Sequence, residues 1–212
     1  MPRTAKKPKA SVPLYSVHPS ISMVMKWVAE LKEKTGRTLE EWKKHIVKDG
    51  PKDFAERRAW LKDKYGLGTN TAWWLAERAD GQPTFDESPE AYLSIAPKYV
   101  EEMFAGKKAP LLPIYRKLLE LGREIGDDVK FCPCQTIVPF YRNHVFAQVK
   151  PTTVTRIDFG LALGDTKAIG KLIDTGGFKK KDRITHRFAI SELKDIDAEV
   201  KKWLRVAYDR DA

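Results

Sequence analysis

Long hydrophobic runs are missing from this chain of 212 residues. No apolar stretch approaches the roughly 20 residues needed to span a bilayer, and the first residues have no hydrophobic signal core. The expectation is a soluble, cytoplasmic protein without a membrane partner. Cysteine is equally scarce, with only Cys132 and Cys134, one residue apart. A bridge between them would be strained, and two ligands fall short of the four a structural zinc site takes. Two reduced thiols on a strand fit better. Serine-hydrolase elbows, Walker phosphate loops and HExxH pairs do not occur either. The sequence therefore offers no catalytic motif, though scattered catalytic residues stay open; it asks for neither cofactor nor metal, and it leaves the oligomeric state open.

Acid is absent from the first ten residues, where Arg3, Lys6, Lys7 and Lys9 give +4. Residues 11–80 carry +3, residues 81–110 carry −2 and residues 111–212 carry +5, for a net +10. A basic arm on two mildly basic halves suits nucleic acid or another polyanion, since each phosphate contact releases counterions. A lysine-rich soluble protein would show the same balance.

Composition is otherwise globular, with 42% hydrophobic residues of which the aromatics are 10% of the chain. The chain divides into four segments. Residues 1–19 form a flexible basic arm. Residues 20–80 form a four-helix domain, residues 81–110 a linker with short helices, and residues 111–212 an α+β domain. Ser20 is the expected N-cap of the first helix, with Val24, Trp27, Val28 and Leu31 inward and Gly36 as its stop. Thr38 and Glu41 form a capping-box pattern before a second helix with Trp42, Ile46 and Val47 inward. A third runs from about Asp53 to Tyr65, with Phe54, Arg58, Leu61 and Tyr65 on one side. The fourth follows Gly66-Leu67-Gly68 and carries Ala72, Leu75 and Ala76. Pro97 should break the segment after Ser88-Pro89 into pieces, and Pro113 should start a helix ending at Gly126.

Beyond Gly126 the hydrophobic period falls from near 3.6 to 2. Strands are expected at residues 129–132, 136–141, 144–149, 154–163 and 184–190, with a hairpin at Tyr141-Arg142-Asn143-His144. A helix near residues 166–173 should interrupt them, and a terminal helix should start at Asp195 or Asp197. The fold class is α+β: four N-terminal helices, then an antiparallel sheet of about five strands with flanking helices.

Two segments carry a resemblance. Lys34-Thr35-Gly36-Arg37-Thr38-Leu39-Glu40-Glu41-Trp42, Ala59-Trp60-Leu61-Lys62 and Tyr65-Gly66-Leu67-Gly68 resemble a short helical bacterial domain of unknown function. Leu112-Pro113-Ile114-Tyr115, Gly126-Asp127-Asp128-Val129, Phe140-Tyr141-Arg142 and Phe146-Ala147 resemble a second uncharacterised domain that often follows it. Some such relatives are labelled predicted transport proteins, and the helix-then-sheet order is similar to small proteins of the YjbR type. The resemblance implies a two-domain protein and transfers no catalytic residues.

Three constellations could carry function. The Gly66-Leu67-Gly68 turn is similar to a helix-hairpin-helix turn, in which Leu67 packs inward and the amides near Gly68, Thr69 and Asn70 face a phosphate, with Lys62 and Lys64 nearby. The plain alternative is that Gly66 ends one helix and Thr69 or Asn70 caps the next. The basic loop Lys179, Lys180, Lys181 and Arg183 is either solvated or a second phosphate contact. Gln148, Arg156, Asp158, His186 and Arg187 could instead hold a small polar ligand in a cleft of the second domain. Five tryptophans lie between Trp27 and Trp74, most of them core by spacing. Trp73 and Trp74 are adjacent, so one of the two must leave the interior.

Overall fold

The computed structural model describes residues 13–81 and 88–212. Most of the expected basic arm and residues 82–87 of the expected linker lie outside the described residues. The chain divides into two compact units: Val17–Ser94 is one, and Ile95–Ala212 together with the segment ending at Ser16 is the other.

The first unit holds α1 (Pro19–Thr35), α2 (Leu39–Asp49), α3 (Phe54–Tyr65) and α4 (Thr69–Ala79). Its helix ends follow local chemistry. Gly36 closes α1 in the left-handed conformation at φ 78°. Thr38 and Glu41 complete both bonds of the capping box, at 2.7 and 3.2 Å. Asp53 caps α3 by accepting from the amides of Ala55 and Glu56. The cap of α1 is His18 rather than Ser20: its Nδ1 accepts from the Ser20 amide at 3.1 Å, and Pro19 takes the first helical position.

Leu31, Trp42, Ile46, Leu61, Leu67, Ala72, Leu75 and Ala76 form this unit's core. Val47 does not join it and is 70% exposed, because one residue past Ile46 the helix has turned outward. On α3 the buried arginine is Arg57, not Arg58. Its guanidinium donates to the carbonyls of Pro51, Lys52 and Ala76 and to the Asp80 carboxylate, so each of its three nitrogens has a partner. Trp73 is 41% exposed, whereas Trp74 meets Trp27 edge-on at 4.3 Å.

α5 (Pro89–Met103) runs unbroken through Pro97. Pro97 and Leu93, whose carbonyl loses its helical donor, both face solvent, so that carbonyl is not left unpaired in the interior. In the second unit a 3-10 turn leads into α6 (Leu112–Ile125). The strands are β1 (Lys130–Phe131), β2 (Val138–Tyr141), β3 (Val145–Lys150), β4 (Ile157–Leu161), β5 (Ile173–Asp174) and β6 (His186–Ile190), before α7 (Ala198–Asp209). They form one antiparallel sheet in the order β1-β2-β3-β4-β6-β5. No helix forms near 166–173. Gly164 and Gly170 both take positive φ there, and the segment ends as β5 on the edge of the sheet.

Register decides which side chains share a face. Val149, Phe159 and Phe188 are directly paired across β3, β4 and β6, as are Ala147, Leu161 and His186. Those residues point into the core, together with Leu118 of α6 and Leu204 of α7. The alternate rows, Gln148–Gly160–Arg187 and Lys150–Asp158–Ala189, lie on the opposite face. β3 also contains a bulge. Tyr141 pairs with Val145 and Phe140 with Ala147, so Phe146 is an extra residue and, like Ala147, is buried.

Candidate functional site

The α3–α4 corner begins where Gly66 ends α3 at φ 62°, its amide bonded to the Lys62 carbonyl. Leu67 then turns into the core, while Gly68, Thr69 and Asn70 are exposed. Gly68 is the N-cap of α4, and having no side chain it leaves that helix without a side-chain cap. The alternative in which Thr69 or Asn70 caps α4 does not occur, since both are inside the helix. The positive end of α4 is therefore presented to solvent on a turn anchored by Leu67. Lys62 and Lys64 are exposed on the last turn of α3.

The basic loop belongs to the other unit. Phe178–Lys180 form a 3-10 turn ending at Lys181, and all three lysines are exposed. Arg183 is tied down: its Nε donates to the Val145 carbonyl at 2.9 Å and its Nη2 meets Asp211 Oδ1 at 2.5 Å.

Four of the five residues expected at the polar cleft come together. Asp158 Oδ1 lies 2.9 Å from Arg156 Nε and 3.0 Å from Arg187 Nη1, and Oδ2 accepts from the Thr152 hydroxyl. Gln148 stands beside them across Gly160. His186 does not take part. It is one residue from Arg187 and so points to the core face, 1% exposed, between Thr185 and the Thr166 carbonyl.

Residues 100–211 match the family model described as Domain of unknown function (DUF5655), which is more than half of the chain. The chain belongs to the DUF5655 family. Residues 25–81 match a second domain of unknown function, DUF4287, in agreement with a two-domain protein of unknown function. The matches do not extend to the YjbR-type or transport labels. No curated protein and no solved structure matches the chain.

Within the DUF5655 region the two thiols follow β1 at the sheet's first edge, beside Tyr141. Cys132 is fully buried, and burial pushes its thiol up to about 12. Burial raises Cys134 as well. Among the described residues no three His, Cys, Asp or Glu side chains are grouped to hold a metal, and no helix is long and apolar enough to cross a membrane.

The DUF4287 region contains a linkage that spacing does not reveal. His45 Nδ1 faces Asp49 at 2.9 Å, and its Nε2 faces the Tyr65 hydroxyl at 2.5 Å. The ring thus bridges the Asp49 carboxylate on its own helix and the Tyr65 hydroxyl on α3. Trp42 and Trp60 pack edge-on against Tyr65, each with ring centres 5.0 Å away. In sequence His45 and Asp49 read as an ordinary helical pair. Only the packing of α2 on α3 adds Tyr65, and it joins the two helices just before the Gly66 turn.

Proposed function

We propose that this DUF5655 protein binds nucleic acid with low sequence specificity, through the α3–α4 turn. The observation that carries the reading is the uncapped, exposed start of α4 at Gly68, Thr69 and Asn70, held outward by the buried Leu67. Amides and a helix dipole aimed at solvent suit a phosphate group. Lys62 and Lys64 add charge on the same corner, and the exposed Lys179–Lys181 loop supplies a second basic element in the other unit. Contacts of this kind position a protein on a phosphate backbone without reading bases. An intracellular setting, where two free thiols remain reduced, agrees with a nucleic-acid partner.

The test is fluorescence anisotropy with a labelled duplex of mixed sequence, at about 50 and about 200 mM salt. Binding at the lower salt should weaken with a log–log slope near −0.9 for each phosphate neutralised. Two unrelated sequences should bind alike. Absence of binding at the lower salt ends the proposal.

A further inference from the structure

The outward face of the sheet has its own groove, independent of the α3–α4 turn because it lies wholly in the second unit. Its volume is about 440 Å³, and its lining includes Val145, Gln148, Lys150, Ile184, Arg183 and Arg187. That size falls at the lower end of small-molecule sites, roughly 300–1,000 Å³. Gly160 sets its width. A Cβ there would stand 2.6 Å from Ile184 Cγ2 and 3.0 Å from Gln148 Cγ, so only glycine lets those two side chains close over β4.

The charges in the groove are unequal in availability. Two carboxylates, Asp158 and Asp182, also line it. Asp158 is committed to Arg156, Arg187 and Thr152. Arg187 spends only Nη1 on that carboxylate, and its Nε and Nη2 bond no other described residue. Arg183 is held by Nε and Nη2, which leaves Nη1. The Gln148 amide, half-buried, also makes no hydrogen bond within the described residues. Lys150 stands exposed at the mouth. Fixed donors thus outnumber uncommitted acceptors, on a floor with apolar walls at Val145 and Ile184.

We propose that this groove binds a small organic anion: a phosphate or carboxylate group taken by Arg187 and Lys150, and a flat body lying between Val145 and Ile184. The Gln148 amide bonds a second polar group on that body. Arg187 presents a planar fork suited to an oxyanion, and it is already oriented by Asp158. His186 has no part in the site, and Arg156 acts only by holding Asp158.

Amide-resolved NMR titration of the full chain tests this, with AMP for the phosphate arm and benzoate for the carboxylate arm. One of the two should saturate below about 10 mM and shift the amides of Gln148, Gly160 and Arg187. Whichever binds identifies the oxyanion. Arg187→Gln should weaken that binding by about tenfold or more. Asp158 keeps Arg156 and Thr152 in that variant, and Gln148→Leu, which removes no charge, should weaken the same probe. No saturation by either probe overturns the site. So do shifts confined to Lys179–Lys181 that persist in Arg187→Gln. Neither failure touches the duplex experiment, which turns on the α3–α4 corner and on no residue of this groove.

Discussion

Replacing Gly68 with aspartate should make the protein more stable and a poorer ligand for DNA at once. Gly68 has φ −62° and ψ 154°, close to the φ −68° and ψ 136° of Asp53, which caps α3 through two amides. A Cβ at Gly68 would meet nothing within 4 Å, so the new side chain enters freely. Aspartate is better than glycine at an N-cap by a few tenths of a kcal/mol, and a carboxylate at a helix start adds ~0.3–1 kcal/mol. The sum is about 0.5–1.4 kcal/mol, which for a unit of this size raises its melting temperature by about 2–11 °C. The same carboxylate occupies the amides that a phosphate would use and repels it. At about 4 Å that repulsion lies between ~1 kcal/mol in water and ~4 kcal/mol near a protein surface. Duplex affinity at low salt should therefore fall by about tenfold or more. Differential scanning calorimetry and anisotropy on one preparation read both effects. Unchanged affinity with raised stability would refute the phosphate reading while leaving the cap intact. Lowered stability would refute the capping argument itself.

Three further outcomes follow from the described geometry. Burial lowers the His18 pKa, and its Nδ1 is the acceptor that caps α1, so the fold favours the neutral ring. Its contribution is full above the unfolded value near 6.5 and is lost as pH falls through that value toward the lower folded one. His18→Asn, a cap that does not titrate, should flatten the melting temperature between pH 7.5 and 5.5, and equal slopes in the two proteins would contradict this. Cys132, with its thiol near 12, should resist DTNB at pH 8 until the chain is unfolded, when both cysteines react; rapid native labelling of Cys132 would count against its burial. Gly122→Ala would place a Cβ 2.8 Å from Phe131 and 2.9 Å from Phe140, forcing two buried rings apart. Urea denaturation should show a loss of about 1–3 kcal/mol, and a loss below ~0.5 would mean that α6 has room to shift.

Features governed by neighbouring residues were legible in the sequence. The capping box at Thr38, the stop at Gly36, the corner at Gly66 and the alternation of Ile157, Phe159 and Leu161 all depend on a few adjacent positions. The polar cleft was legible in part, because Asp158 and Arg187 share a face once the strands pair. His186 was misplaced by a single step in parity. Less local effects escaped. Histidine is an unusual N-cap, so nothing in the sequence distinguishes His18 from Ser20 two residues on. Pro97 stays in its helix only because its neighbours on that face are solvated. β5, two residues long, has no periodicity to detect. Arg57 with Asp80 and His45 with Tyr65 are linked over 23 and 20 residues by helix packing, which no spacing encodes.

The bulge in β3 has a consequence for how this domain can change. Removing Phe146 would restore an unbroken ladder in which Val145 still meets Tyr141 and Ala147 still meets Phe140. Such a deletion would take a ring away from Phe140 and Tyr208 while leaving Val145, Gln148 and Lys150 on their present side. The interior and the groove therefore sit on separate genetic dials. A lineage could retune its core by gaining or losing one residue without redrawing the surface on which a ligand would be chosen.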